Sequence, residues 1–514
     1  MYCISNTLPT HHHAHSRPPR YYEDVKKAES STFFNHFFGN MMPPALSKWT
    51  YDDMTSDAGF SRFSFVGFGV IYMRKRGGFS SDVHDHRSKQ SCFDANRNAP
   101  TDAIYCLDLH WMSQYAVRDD FERYGATAYF GATQQPLAIH RPANTGDFKT
   151  ADFHKKPTST VDANGVITYT HMLTSTLGDE NWEHMKWTLK VSVMTEITLI
   201  DHLLWAHLIV SNGVTKASRE TLDKENPIRQ LLKPFTYRAN TINFSAFKTL
   251  FAEGGMADHW FGFTRESLGL YMETCSQSFS YKDPETFMNM MGIPKVIADD
   301  IEQLKTIAPL LADGLRLYHV FRDFSKEYVD WAYTTEADLA ADSQVAEYWT
   351  KLDEGRFVGK FNEKDRSAYG DAYKYGLKPL TKEELYKQVA HLMFYVTGYH
   401  RVVGNFADYL ESGSKSLASV IRPGYNEGSV LDYFGISTLA AFTGFPQINL
   451  INDWRHVFLT DGMTDARKAE LFAILEKWQG ALADLSVEIE TESRTRPIKQ
   501  HMMNPRHLDV SIAI

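Results

Sequence analysis

The sequence predicts a mainly α-helical protein with a minor β portion in its N-terminal third. Residues 46–175 are rich in glycine, aromatic and β-branched residues, with strand-like runs such as FSFVGFGVIYM and GVITYTHML. From about Asn181 the pattern becomes helical, and it stays helical to the end of the chain. These two sequence patterns predict short strands in the first part of the chain and a large helical region after them.

Three stretches carry the helical prediction. Residues 181–212 contain neither proline nor glycine, and their apolar residues are too dense for a helix with only one buried side. Residues 382–413 are predicted to form a second long apolar helix. Residues 465–493 repeat apolar residues at helical period, which predicts a third helix that packs a single face.

The domain organisation predicted from the sequence is simple. Residues 1–45 are rich in histidine, proline and arginine and are expected to form a mobile arm. No internal repeat and no linker rich in proline, glycine or serine divides the rest of the chain. Residues 46–514 are therefore expected to form one domain.

Composition excludes several classes of protein. The 514 residues carry a net charge of -9, which argues against a nucleic-acid-binding surface. The four cysteines are few and widely spaced, so neither a disulfide framework nor a zinc-thiolate site is expected. The N-terminus lacks the pattern of a signal peptide, and no long uncharged apolar stretch predicts a transmembrane helix. We expect a cytoplasmic protein with at most peripheral membrane contact and no obligate protein partner.

Two histidines lie on the first buried helix, His202 and His207 in DHLLWAH. Such a pair can simply be satisfied core residues. On an α-helix, five residues advance the chain by about 500°, which leaves the two rings roughly 140° apart around the axis. One π-helical turn would bring them nearly into line, and π-bulges concentrate at functional sites. The pair is therefore predicted to bind a metal only if the helix is locally widened.

The second buried helix carries His400 and Asn405, again five residues apart. Three imidazoles and an amide oxygen suit a first-row metal such as iron or manganese, but the set lacks a negative charge. The chain ends in the apolar run DVSIAI, and the terminal carboxylate of Ile514 could supply that charge. A buried carboxylate costs several kcal/mol unless a cation compensates it. The sequence thus predicts a metal centre of His202, His207, His400, Asn405 and Ile514.

Three blocks of the sequence resemble the lipoxygenase family. The first is NWEHMKWTLKVSVMTEITLIDHLLWAHL, continued by ENPIRQLLKPFTYRANTINFSAFKTLFAEGG, in which Asn226 stands where the family usually has histidine. The second is GYHRVVGNFADY, and the third is the terminal SIAI. Each block alone is weak, but all three in this order, ending in the terminal isoleucine, make a specific signal.

The resemblance implies a helical catalytic domain around a buried non-haem iron. The family's amino-terminal β-barrel lipid-binding domain is expected to be absent, because only 201 residues precede His202. The resemblance implies that His202, His207, His400 and Ile514 serve catalysis as iron ligands, with Asn405 as a further ligand. The implied reaction removes a hydrogen atom from the CH2 between two cis double bonds of a polyunsaturated fatty acid. Dioxygen then adds to the pentadienyl radical and yields a hydroperoxide.

The resemblance also implies a substrate and oxygen channel. Ala246 matches the position where alanine usually accompanies S stereochemistry, and Leu250 matches the leucine that borders the oxygen route. Leu203, Phe247 and Trp260 are expected to line the same channel, and the bulky HWFGF segment could shorten it. As an alternative, these side chains serve only core packing. Lys190, Arg229 and Lys248 are candidates for binding a substrate carboxylate, or are ordinary solvated cations.

Three departures from the family pattern affect the expected site. Gly404 extends the usual His-x3-Asn spacing, so either a glycine-permitted bulge lets Asn405 reach the metal or Gly404 occupies the ligand position and water fills it. Thr198 and Asp408 stand where many members have two bridging glutamines beside the iron, so the outer sphere is altered. Phe247 replaces the usual arginine.

These departures keep two other functions open. One is a lipoxygenase-fold enzyme with a specialised-metabolite substrate or hydroperoxide isomerase activity, favoured by Thr198, Asp408 and Gly404. The other is a non-catalytic lipid-binding relative. Retention of three histidines and the terminal isoleucine argues against that second alternative, because a binding module needs none of them.

Overall fold

The structure is a computed structural model. It describes residues 49–76, 91–94, 97–163, 165–277, 279, 301–355, 375–409, 417–443, 448–496, 498–499 and 501–512. The expected arm, residues 1–45, and the last residue, Ile514, lie outside the described residues, so the expected domain organisation stays a prediction. Within them the protein is mainly helical, with a small antiparallel sheet in the N-terminal third, and the predicted fold class is confirmed.

Helices make up most of the described chain. Two segments are π-helical, π1 (Ile197–Ser211) and π2 (Tyr395–Tyr399). The α-helices are α1 (Tyr51–Thr55), α2 (Asp57–Phe65), α3 (Trp182–Glu196), α4 (Asn212–Thr221), α5 (Pro227–Leu232), α6 (Ala239–Thr249), α7 (Met256–Trp260), α8 (Arg265–Gln277), α9 (Ile301–Ile307), α10 (Pro309–Ala332), α11 (Glu336–Ala340), α12 (Ser343–Glu354), α13 (Lys382–Phe394), α14 (His400–Gly404), α15 (Val430–Thr443) and α16 (Asp465–Ser493).

The sheet has five antiparallel strands in the order β1-β2-β3-β4-β7, and β5 and β6 form a separate two-stranded sheet. The strands are β1 (Met73–Lys75), β2 (Tyr105–Asp108), β3 (Thr127–Phe130), β4 (Pro136–Ala143), β5 (Ser159–Val161), β6 (Ile167–Tyr169) and β7 (His171–Thr176). The run GVITYTHML supplies β6 and the first half of β7, as predicted. The run FSFVGFGVIYM is instead the end of α2, a 3-10 turn at Phe68–Tyr72 and the first residue of β1.

Helices α3, π1 and α4 form one continuous helix through the core. Its span, Trp182–Thr221, is long and apolar enough to cross a bilayer, but 94% of its most apolar window is buried inside the protein. That burial is typical of the core helix of a folded domain. The sheet packs along α3 through β4 and β7, while α6, α8 and α14 pack against π1, and α6 also packs against α4.

The other two predicted helices also form. The second begins at Lys382 as α13, passes through π2 and ends with α14 at Gly404, earlier than the predicted residue 413. The third is α16, whose Trp478 stacks on Phe324 of α10 with ring centroids 4.3 Å apart. Helices α13 and α16 both pack against α10, which holds the helix that leads into His400 beside the core.

Two of the four cysteines form a disulfide, which corrects the expectation of no disulfide framework. Cys92 and Cys106 are joined, and both are almost fully buried beside Tyr129. Cys106 lies on β2 opposite Tyr129, and the Tyr129 hydroxyl donates to the Cys92 carbonyl at 2.9 Å. The sequence separation of 14 did not predict this pairing, because only the fold brings the turn at Cys92 against β2.

The C-terminal tail enters the core, as its apolar sequence suggested. Val510 and Ile512 are fully buried, and the Ser511 hydroxyl donates to the Tyr237 carbonyl at 3.1 Å. The backbone of Val510 donates to the carbonyl of Ile448 at 2.9 Å, which fixes the tail against the preceding loop. The tail therefore runs inward through its last described residue.

Candidate metal centre

The first two histidines of the centre lie on π1. Helix π1 covers fifteen residues, and its i→i+5 pattern brings His202 and His207 onto the same side. Their Nε2 atoms are 3.3 Å apart, and both side chains are at least 95% buried. The predicted local widening of this helix is confirmed, and with it the condition under which the two rings could serve one metal.

His400 completes a triangle of ring nitrogens. It is the first residue of α14, directly after π2, and its Nε2 lies 3.0 Å from the Nε2 atoms of both His202 and His207. These three side chains are the one group of potential metal ligands found within the described residues. Residues from two helices separated by almost 200 positions thus meet at one point.

Burial keeps these imidazoles neutral. It lowers the pKa of His207 to about 4, although the hydrogen bond with Asn243 works in the opposite direction. Burial, with repulsion from the neighbouring rings, lowers the pKa of His202 and of His400 well below the usual range. Three uncharged rings whose Nε2 atoms face one another cannot all satisfy each other as hydrogen-bond donors and acceptors. A cation between the three nitrogens would satisfy all of them.

Asn243 of α6 orients His207, a role that the sequence did not reveal. Its Nδ2 donates to the His207 carbonyl at 2.9 Å, so its Oδ1, 3.0 Å from His207 Nδ1, must accept the Nδ1–H proton. This assigns the lone pair of His207 to Nε2, the atom that faces the other rings. The partners are 36 residues apart on different helices, so no spacing pattern in the sequence could indicate the contact.

Asp201 was also missed, and it ties the two ligand helices together. Tyr399 of π2 donates its hydroxyl to Asp201 Oδ1 at 2.5 Å, and Tyr72 donates to Oδ2 of the same carboxyl group. Asp201 and Tyr399 immediately precede His202 and His400 in sequence. The bond therefore fixes the relative position of the two helices one residue away from the ligands.

Thr198 and Asp408, the predicted outer-sphere pair, are both buried and are close in sequence to histidines of the centre. Their described contacts are with other residues. Thr198 lies in π1, and its hydroxyl donates to the Met194 carbonyl of the same helix at 2.7 Å. Asp408 lies in a short 3-10 turn, Ala407–Tyr409, where its charge raises the pKa of Arg401 against the larger opposing effect of burial. A joint role for Thr198 and Asp408 beside the metal stays a prediction.

Asn405 and Ile514, the two remaining predicted ligands, are not brought together with the histidines by any described contact. Asn405 is buried directly after α14, and neither atom of its amide makes a hydrogen bond to a described residue. Ile514 lies outside the described residues. Both assignments stay predictions.

The predicted channel residues lie on or next to π1, α6 and α7, and their role in lining a channel stays a prediction. Leu203 is buried on π1, while Ala246 and Leu250 are partly buried at the end of α6, where the Leu250 N–H donates to the Ala246 carbonyl. Trp260 is partly buried at the end of α7 and faces Gly435 of α15. The side chain of Phe247 lies outside the described part of the protein.

Two of the three candidate cations for a substrate carboxylate, Lys190 and Arg229, are engaged elsewhere. Lys190 is buried, and its ammonium donates to the Met54 carbonyl at the end of α1, 2.5 Å away. Burial, with repulsion from Lys186, lowers the pKa of Lys190 to about 7. Arg229 donates to the Ser218 carbonyl, and the side chain of Lys248 lies outside the described residues.

Known proteins similar to this chain share this architecture. The coral 8R-lipoxygenase structure superposes with a TM-score of 0.65 at 18% identity, covering 96% of this chain and 74% of that one. A calcium-dependent 11R-lipoxygenase gives 0.66 at 16% identity with the same coverage. At this identity the likeness establishes the fold.

Curated relatives are similar over a shorter segment. Linoleate 9S-lipoxygenase-4 of Glycine max is 26% identical over 230 residues, which cover 42% of this chain and 24% of that protein. Lipoxygenase 6, chloroplastic, of Arabidopsis thaliana is 23% identical over 274 residues, 49% of this chain and 26% of that protein. The matched segment thus spans about a quarter of these relatives' length.

The lipoxygenase family profile matches residues 155–420, just over half of the chain, and this range contains all three histidines of the centre. The resemblance inferred from the three sequence blocks is thereby confirmed, and the chain belongs to the lipoxygenase family.

Proposed function

We propose that this protein is a non-haem metal dioxygenase of the lipoxygenase type. It would remove a hydrogen atom from the 1,4-pentadiene of a polyunsaturated fatty acid and add O2 to give a lipid hydroperoxide. The observation that carries the proposal is the triangle of three neutral imidazole nitrogens, two on buried histidines and one on the partly buried His400, with sides of 3.0–3.3 Å. Membership of the lipoxygenase family supports the reaction class.

The three histidines fit a first-row metal ion. Imidazole nitrogens bind such ions at about 2.0–2.1 Å, and two adjacent ligands at that distance and at right angles lie about 3.0 Å apart. The sides of the triangle match this separation, so little rearrangement of the rings is needed. The donor set suits iron, and also manganese. The carboxylate of Ile514 remains the predicted anionic ligand, supported by a tail that is buried as far as Ile512.

When bound, the metal supplies the one-electron chemistry that hydrogen-atom removal requires. The residues of this chain do the rest. Asn243 holds the Nδ1–H proton of His207 and keeps Nε2 available as a ligand. The apolar residues of π1 exclude water, which protects a carbon radical from side reactions. The Asp201–Tyr399 bond holds the ligands on the two helices at a fixed separation.

A polyunsaturated fatty acid is the substrate class that we propose, with O2 as co-substrate. Several of the curated relatives are named linoleate 9S-lipoxygenases, and the helix that carries the centre is lined with aliphatic residues such as Leu203 and Leu204. Ala246 supports an S product through its position in the resemblance.

The experiment is metal quantification followed by oxygen uptake. Purified protein should contain about one iron or manganese per chain and should consume O2 with linoleate or arachidonate. His400→Ala should lose both properties, whereas His456→Ala, at an exposed histidine, should keep both. Wild-type protein without metal would overturn the proposal, and metal without oxygen uptake on either acid would direct the search to a different apolar substrate.

A further inference from the structure

Met503, just ahead of the C-terminal tail, lies between two glycines of different helices. A β-carbon added to Gly398 of π2 would lie 2.8 Å from Met503 Sδ, and one added to Gly314 of α10 would lie 3.2 Å from Met503 Cε. Real β-carbons essentially never come within 3.0 Å of another heavy atom. The thioether therefore occupies space that a side chain at position 398 would need, and Met503 is 5% exposed.

We call the space between Gly314 and Gly398 the methionine notch. Its other walls are apolar, since Leu317 Cδ2 lies 2.6 Å and Phe394 Cε2 lies 3.7 Å from the β-carbon position of residue 398. Methionine is unbranched and flexible, so it fills an irregular gap such as this one. A shorter side chain would leave a cavity, because the surrounding structure relaxes only partly. The notch therefore holds the chain at Met503 by packing.

The notch connects the tail to the segment that carries His400. Gly398 lies in π2, which directly precedes His400, and α10 packs against π2. Met503 begins the part of the chain that runs through the buried Val510 and Ile512 toward the predicted anionic ligand, Ile514. One side chain thus joins the route of the predicted carboxylate ligand to the helix of an imidazole ligand.

Hydrogen bonds after Met503 tie the tail to other segments. Asn504 Nδ2 donates to the Ser486 carbonyl of α16 at 3.1 Å, and the Leu508 carbonyl accepts the N–H of Leu450 at 2.8 Å. The net contribution of one such bond is modest because water competes for both groups, whereas withdrawing Met503 exposes a long apolar side chain. Local opening of this segment therefore becomes much less favourable when Met503 occupies the notch.

We propose that Met503 is a positioning residue that fixes the C-terminal tail to π2 and thereby sets the position of the terminal carboxylate relative to His400. The proposal rests on the proposed function in one respect, since it takes the three histidines and the carboxylate of Ile514 as ligands of one metal. A ligand at a chain end binds well only when the chain before it is already ordered, because binding then costs less entropy.

The first test needs no metal. Amide hydrogen exchange of residues 508–512 is followed by mass spectrometry in the metal-free protein. Met503→Ala should speed this exchange by about tenfold or more, because opening no longer withdraws a long side chain from the notch. Met503→Leu, which nearly conserves the volume, should stay within about threefold of wild type. Unchanged exchange in Met503→Ala would overturn the proposal.

Met112→Ala is the matched control. Met112 is also fully buried, but it lies in the 3-10 turn His110–Gln114, which packs against β4. This variant should lower the melting temperature as Met503→Ala does and leave the exchange of residues 508–512 unchanged. Equal acceleration in both variants would reflect a general loss of stability and would overturn the proposal. If Met503→Ala does not fold, Met503→Val, which also lacks Sδ and Cε, replaces it under the same criteria.

The second test asks whether Met503 acts through the terminal carboxylate. Iron affinity is measured for wild type, for Met503→Ala, for a chain that lacks Ile514 and for the combination. Met503→Ala should weaken iron binding by about tenfold or more in the full chain, but by less than about threefold without Ile514, because the carboxylate is then already displaced. Equal weakening in both backgrounds would overturn the proposal.

Failure of the proposed function gives a different result from failure of this inference. Wild-type protein that holds no iron contradicts the dioxygenase proposal itself, and the exchange test on metal-free protein then decides alone whether Met503 fixes the tail. Wild-type protein that holds iron, with an affinity that Met503→Ala leaves unchanged, contradicts only the positioning role of Met503.

Discussion

Two pairs of polar residues are each five positions apart in the sequence. One is His202 and His207 on π1, and the other is His400 and Asn405 at α14. On π1 the widened turn aligns the pair, and the two Nε2 atoms are 3.3 Å apart. At α14 the turn is an ordinary α-turn, so the residue that shares the face of His400 is Gly404. Equal spacing in sequence therefore places one pair on a shared side of its helix and leaves the other pair on different sides, because the backbone differs.

The widening of π1 is stabilised from outside the helix. Carbonyls in a π-helix accept i→i+5 rather than i→i+4 bonds, and in π1 side-chain donors from other segments add hydrogen bonds to several of them. Asn243 donates to the carbonyl of His207, and the Tyr375 hydroxyl donates to those of Ile209 and Val210. At α14 the widened segment, π2, ends before His400 and so cannot realign Asn405.

The largest expected effect comes from breaking the aligned pair. His207→Ala should weaken metal binding by more than about 100-fold, beyond the 10–100-fold that outer partners of a ligand are worth, because it removes one of three imidazoles. Metal content after dialysis against a chelator is the measurement, with circular dichroism to verify folding. Full metal retention in His207→Ala would mean that His202 and His207 do not bind the metal together.

The next effect tests what keeps π1 aligned. Asn243→Leu removes the acceptor for the His207 Nδ1–H and the donor to its carbonyl, so metal affinity should fall about 10–100-fold. Asn243→Asp keeps the acceptor and should restore most of that affinity, while the lost donor still lowers the melting temperature. Equal metal affinity in the Asn243→Leu and wild-type proteins would contradict the orienting role of Asn243.

The helical fold class and the three histidines could be predicted from the sequence, because both depend on local periodicity and on residue type. The predicted widening between His202 and His207 followed from the same reasoning, since a metal pair at that spacing requires it. Asn243, Asp201 and the Cys92–Cys106 disulfide could not be predicted. Each depends on a contact between elements distant in sequence, and only the packed fold brings those elements together.

A smaller effect concerns the link between the two helices. Tyr399→Phe removes one of the two hydroxyl donors described for the buried carboxyl group of Asp201, which should cost about 1.5–3 kcal/mol of unfolding free energy. Metal affinity should fall less than in Asn243→Leu, because no ligand atom loses a direct partner. Tyr386→Phe, at a partly buried tyrosine on α13, is the control, and equal stability losses in the two variants would mean that the bond to Asp201 is not what matters.

The smallest expected effect belongs to the pair that α14 leaves unaligned. Asn405→Leu replaces a buried amide that makes no hydrogen bond to a described residue with an apolar side chain of similar volume. Removing an unsatisfied buried polar group is nearly neutral or stabilising, since the cost of its desolvation disappears. Chemical denaturation of the metal-free protein should give an unfolding free energy equal to or above that of wild type. Using metal-free protein separates this property of the fold from any contribution of Asn405 to coordination. A loss of more than about 2 kcal/mol of unfolding free energy would show that the amide has a partner that stabilises α14. His207 and Asn405 would then differ only in their effect on metal binding.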